Sequence, residues 1–198
     1  MTKKMVWFSL VLMVLLFGAV SCAPRIVAEG YSADIVSGMG QIKIKGKVYV
    51  GRDRWRMEMI DPTGKKMITI SRADKGVSYV LMPEDKTYME STMRGSEGQM
   101  MMDLSKKFPG EIERKKIGKE TVSGIPCDKY KFVTKFATPM GEPTTLTVYT
   151  WVSQDGIPVK SETPDGSMSS LLTNIKRGKQ PVALFEIPAG YKKFEFKF

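Results

Sequence analysis

The chain has 198 residues, 31 of them basic and 21 acidic for a net charge of +10, with two cysteines, 15 methionines and no histidine. Lacking histidine, it has no serine–histidine or cysteine–histidine nucleophile pair, no imidazole metal ligand and no customary general base, which removes most hydrolase mechanisms. The positive balance favours acidic partners, but without a helix-turn-helix, zinc-ligand or aromatic-basic RNA motif, nucleic acid is not among them.

Lys3 and Lys4 precede an apolar run, Met5 to Val20, and the small residues Gly18, Ala19 and Ser21 sit just before the break. This is the layout of a secretory signal peptide over residues 1–21. The run is interrupted by Ser9 and is too short for a membrane span, which needs about 20 apolar residues. Cleavage after Ala23 would place Pro24 beside the scissile bond, where its fixed φ and missing N–H are unfavourable. Cleavage after Ser21 makes Cys22 the first mature residue.

"AVSC" resembles the lipobox of bacterial lipoproteins, with Ala19 where that family prefers leucine. The resemblance implies a diacylglycerol on the Cys22 thiol and a further acyl chain on its amine, enough for stable anchoring. It also implies outer-membrane residence facing the periplasm, since Ala23 is not the aspartate that retains some lipoproteins at the inner membrane. Ordinary secretion with Cys22 as a bystander is the alternative. Residues 22–30 then form a tether whose last eight residues span at most about 26 Å. Residues 31–198 form one domain, and the mature chain keeps 29 basic against 21 acidic residues, a charge of +8. A lipidated Cys22 leaves Cys127 without an intrachain partner, as a small buried strand residue rather than a reactive thiol.

Period-two alternation dominates the rest of the chain. In "IKIKGKVYV" Ile42, Ile44, Val48 and Val50 share one face while Lys43, Lys45 and Lys47 point the other way, the pattern of a strand with one wet face. "RWRMEM" places Trp55, Met57 and Met59 inward, and the change from even to odd parity across Gly51–Asp53 predicts a short hairpin. Further strands are expected at "KMITISR", "GVSYVLM", "KTYMES", "RKKIGKETV", "DKYKFVTKF", "TTLTVYTWV", "IPVKSE", "SSLLTNIK" and "KKFEFKF". Turn chemistry separates them at "DPTG", "PEDK", "QDG" and "PDG", as in an antiparallel meander or barrel. One helix is expected in "SEGQMMMDLSKKFPG", where Met100, Met101, Leu104 and Phe108 fall at helical spacing before Pro109-Gly110 stops it.

Glu58, Asp61, Glu84 and Asp85 fall on outward faces or turns and read as solvated surface, so no enzyme activity, cofactor or metal is expected. Methionine is concentrated between Met39 and Met102. Its flexible thioethers suit a surface that repacks around apolar ligands, and equally serve as filler in an ordinary core. A copper(I) thioether site is a third reading, weakened by the absence of histidine.

The stretch "GKVYVGRDRWRMEMIDPTGKKMITISRADKGVSYVLMPEDKTY", with the later "GIPCDKYKF", "TWVSQDGIPVKSE" and "LFEIPAGYKKF", resembles the bacterial lipoprotein-carrier superfamily, the LolA/LolB-like fold, in an uncharacterised branch. That resemblance implies a mainly β (α+β) fold, an open, strongly curved antiparallel half-barrel with a few short helices covering the concave face. Its cavity would hold an acyl chain or other lipid-like ligand against Ile44, Val48, Val50, Trp55, Met57, Met59 and Leu81, with Met100, Met101 and Leu104 as lid. Arg52 matches the arginine that contacts the lid in the carriers, although Asp53 follows where the family has proline. A shuttle must be soluble, so the anchor points to an acceptor or lipid-binding relative, active in lipoprotein or lipid transfer to the outer membrane. The rival reading is a structural or assembly lipoprotein with a filled core, whose basic face meets acidic envelope proteins or anionic lipid head groups.

Overall fold

Alternating chemistry makes strands of nearly the whole described chain. The computed structural model describes residues 29–61, 63–93, 107, 110–137 and 143–194. They form β1 (Tyr31–Met39), β2 (Ile42–Val50), β3 (Arg54–Ile60), β4 (Lys66–Arg72), β5 (Val77–Met82), β6 (Thr87–Thr92), β7 (Glu111–Val122), β8 (Ile125–Ala137), β9 (Pro143–Ser153), β10 (Pro158–Glu162), β11 (Met168–Arg177) and β12 (Lys192–Lys193). Ten of the eleven strands expected from the alternation are present, and of the eleventh, "KKFEFKF", β12 takes Lys192–Lys193 while residues 195–198 lie outside the described residues; β1 was not expected.

The strands build one open sheet in the order β12-β6-β5-β4-β3-β2-β1-β11-β10-β9-β8-β7. Two meanders, β1 to β6 and β7 to β11, are therefore joined along a single antiparallel seam between β1 and β11, with Ile35 opposite Leu172. The turns hold by the chemistry expected of them. Asp61 accepts hydrogen bonds from the backbone N–H groups of Thr63 and Lys65 at 2.8 and 2.9 Å. Asp165 accepts from the Thr163 hydroxyl and from Ser167, which together hold its pKa down at about 2.

Parity across the β2–β3 hairpin is as the sequence predicts, since Val48 pairs with Met57 and Val50 with Trp55 on one face. Lys43, Lys45 and Lys47 are exposed on the other. At Gly46 the strands approach so closely that a Cβ would lie 2.1 Å from the Glu58 carbonyl oxygen, and a glycine in a strand interior commonly marks such a close approach or bend.

The outer face of β3 to β5 is buried as well, which the alternation did not indicate. After β11 the chain crosses back over it as a strap, placing a 3-10 turn (Val182–Phe185) on Ile68, Ile70 and Leu81. Arg56 donates to the Leu184 carbonyl at 3.0 Å, and Arg72 donates to the Phe185 carbonyl while pairing with Asp74 and Glu186. The strap ends as β12, parallel to β6. Leu81, expected in the cavity, belongs to this second cluster because its pairing with Ile68 turns it to the outer face. Among the described residues there is no α-helix, and the one helical turn covers the outer rather than the concave face. The helix expected around residues 96–110 falls, apart from residues 107 and 110, outside the described residues, with Met100, Met101 and Leu104, as does Cys22.

Candidate ligand-binding cavity

The inner face encloses a cavity of about 400 Å³. Its wall runs from Trp55 and Met57 on β3, through Val48 and Val50 on β2, to Val148 on β9 and Phe132 on β8. β3 and β8 are six strand spacings apart in the sheet order, about 29 Å if the sheet were flat. Residues that far apart can line one cavity of this size only because the sheet curls. An open, curled sheet with an apolar inner face is the arrangement that resemblance to the LolA/LolB-like carriers implies.

Of the residues named from sequence, Val48, Val50, Trp55 and Met57 line the cavity together. Ile44 and Met59 share their face but stand outside the lining, Met59 packing on the core cluster around Val48 and Ile35. Arg52 sits in the exposed turn between β2 and β3, in a shallow groove with Arg54, Lys179 and Phe185 at the strap. Sequence reasoning missed Tyr31, Ile35 and Ser37, which lie on the unforeseen β1, and it missed Leu172, Ser170 and Ser161, whose approach depends on the seam. Phe132 and Val148 were visible as alternating apolar residues within expected strands, but nothing in the sequence brought them opposite Trp55.

No charged side chain lines the cavity among the described residues. Burial, with the nearby Asp155 carboxylate, pushes the Tyr31 phenol well above the ordinary tyrosine range, so it stays neutral. The Trp55 indole N–H is buried without a hydrogen-bond partner among the described residues, a rare condition in folded proteins. On the outer face, by contrast, Trp151 donates to Glu120 at 2.7 Å and lies between the ammonium groups of Lys129 and Lys160, 4.4 and 4.3 Å from its ring centre. Cys127 is buried, and burial raises its pKa. Among the described residues no three acidic or cysteine side chains converge as a metal would require.

A family model described as a domain of unknown function, DUF4412, matches residues 33–155. Among curated proteins no match is found. Similar solved structures include MucB in complex with MucA(peri), 9% identical with a TM-score of 0.49 over 82% of this chain and 56% of that one. The chain thus spans little more than half the length of that MucB chain. The lipoprotein LppX of Mycobacterium tuberculosis is 13% identical, with a TM-score of 0.43 over 79% of this chain and 89% of that one. An outer membrane lipoprotein-sorting protein domain from Vibrio parahaemolyticus is 8% identical, with a TM-score of 0.32 over 75% and 85%.

Proposed function

Because the chain belongs to the DUF4412 family, whose description leaves function open, we propose a function from the cavity itself: an envelope lipoprotein that binds an acyl chain or similar hydrophobic ligand. The protein is anchored through Cys22 in the outer membrane facing the periplasm, and takes part in lipid or lipoprotein transfer there. It acts by binding rather than catalysis. The observation that carries this reading is the uncharged, largely apolar cavity, of a volume ordinary for small-molecule sites. A filled core, which a purely structural lipoprotein would have, leaves no such space.

Fatty acid methyl esters of increasing length test it, because each further CH₂ placed in the cavity contributes about 0.8 kcal/mol, roughly fourfold in affinity. Affinity is expected to climb with length and then level off, with a change in tryptophan emission that disappears in Trp55→Phe. Affinity independent of length would favour the structural reading. The anchor is tested separately by metabolic labelling with a clickable fatty acid. The wild-type chain should take up label and Cys22→Ser should not; equal labelling would refute lipidation.

A further inference from the structure

Strand register aligns four hydroxyl groups that the sequence scatters over more than a hundred residues. Ser37 on β1 stands opposite Ser170 on β11, Ser170 shares its rung with Ser161 on β10, and Ser161 stands opposite Thr150 on β9. All four line the cavity. At about 4.8 Å per strand, the row crosses roughly 14 Å of the inner wall. Apolar residues flank it two positions along the strands, Ile35 and Leu172 on one side and Met39 and Met168 on the other. Ile35 and Leu172 line the cavity beside the row, whereas Met39 and Met168 are exposed beyond its rim, so the wall is apolar on the inner side of the hydroxyls.

Ser161 donates to Thr150 at 3.2 Å, but Ser37 and Ser170 have no side-chain hydrogen bond among the described residues. These serines are half-buried on the wall of an open cavity; hydroxyls there lose their water when an apolar ligand covers them, and an unpaired buried polar group is costly. A ligand with oxygen or nitrogen acceptors at that level avoids the loss. The charge of that ligand is constrained too. Cations near the row are already engaged, Arg114 with Glu111 and Lys116 with Asp128, each at 2.6 Å. Among the described residues, a carboxylate would therefore enter without a counter-charge.

We propose that the cavity selects an uncharged acyl ester or amide, whose carbonyl accepts hydrogen bonds from the Ser37–Ser170–Ser161–Thr150 row while its hydrocarbon lies along the flanking apolar wall. The inference rests on the cavity reading above and adds to it the polar half of the ligand. Every strand among the described residues lies between Tyr31 and Lys193, so a chain of residues 22–198 with Cys22→Ser keeps all of them and can be studied without its anchor.

Three probes of equal carbon number, a methyl ester, an alkane and the ionised free acid, are compared by displacement of a bound fluorescent lipid. The ester is expected to bind roughly tenfold more tightly than either of the others, the effect of one or two hydrogen bonds. In Ser37→Ala/Ser170→Ala, checked for folding by its near-ultraviolet circular dichroism, the ester-to-alkane ratio should fall towards one; in Ser170→Thr, which keeps the hydroxyl, it should persist. An alkane that binds as well as the ester to the wild-type chain overturns the role of the row while leaving the cavity reading intact. An ionised acid that binds best overturns the requirement for neutrality. If none of the three displaces the reporter, both readings fall.

Discussion

Leu81 and Met57 are both apolar strand residues, yet they serve opposite faces of the same sheet. Leu81 is wholly buried among Ile68, Ile70 and Phe185, whereas Met57 lines the cavity. Leu81→Ala leaves a void in a packed cluster, and such truncations cost about 2–5 kcal/mol. The expected result is a clearly lowered melting temperature with acyl-ester affinity within twofold of wild type. A large loss of affinity in a variant that is still folded would mean that the two faces communicate and that Leu81 had been placed on the wrong side. Trp55 carries a further residue-scale consequence: its N–H has no partner among the described residues, so Trp55→Phe, which removes the donor and keeps most of the ring, is a mild change well suited to serve as the control for tryptophan emission.

At the scale of elements, the strap after β11 is held by charge as well as by Phe185. Arg72 hydrogen-bonds Asp74 and keeps that carboxyl below the usual range. For Glu186 burial acts upward, but the hydrogen bond and charge of Arg72, with Lys75 beyond, outweigh it and the net direction is down. A carboxylate with a depressed pKa in the folded state contributes stability that is complete above its ordinary value, near 4, and is lost as pH falls through the depressed one. The melting temperature should therefore hold between pH 5 and 8 on this account and decline below about pH 4. The decline should be shallower in Asp74→Asn/Glu186→Gln; an identical acid profile in that variant would show that the strap is held by packing alone. This element also marks where sequence reading ends. The parities of β2 and β3 were legible because charged and apolar residues alternate along each, on β3 even though the strap covers Arg56. On β4 and β5 both faces are covered, and alternation cannot say which cover is which. β1 was missed although Tyr31, Ala33 and Ile35 alternate inward, because the small and polar residues of "YSADIVSGM" leave the local signal weak. The hydroxyl row has no local signal at all: four ordinary polar residues become a site only through the register of strands far apart in the chain.

At the scale of the molecule, the seam between β1 and β11 has a consequence for the order of folding. Each meander is made of neighbouring hairpins, but pairing Ile35 with Leu172 closes a loop of well over a hundred residues, and that closure entropy must be met before the seam's contacts repay it. Folding in milliseconds to seconds is expected, with the seam formed after the transition state. Leu172→Ala should then quicken unfolding and leave the refolding rate nearly unchanged, a φ-value near zero, while changes within the β3–β4 hairpin slow refolding. A φ-value near one at Leu172 in chevron analysis would reverse this order. The cavity straddles the seam, with Ser37 and Ile35 on one bank and Ser170 and Leu172 on the other, so it does not exist until the last step is taken. A lipid bound across both banks would prolong the lifetime of the folded state without hastening its formation.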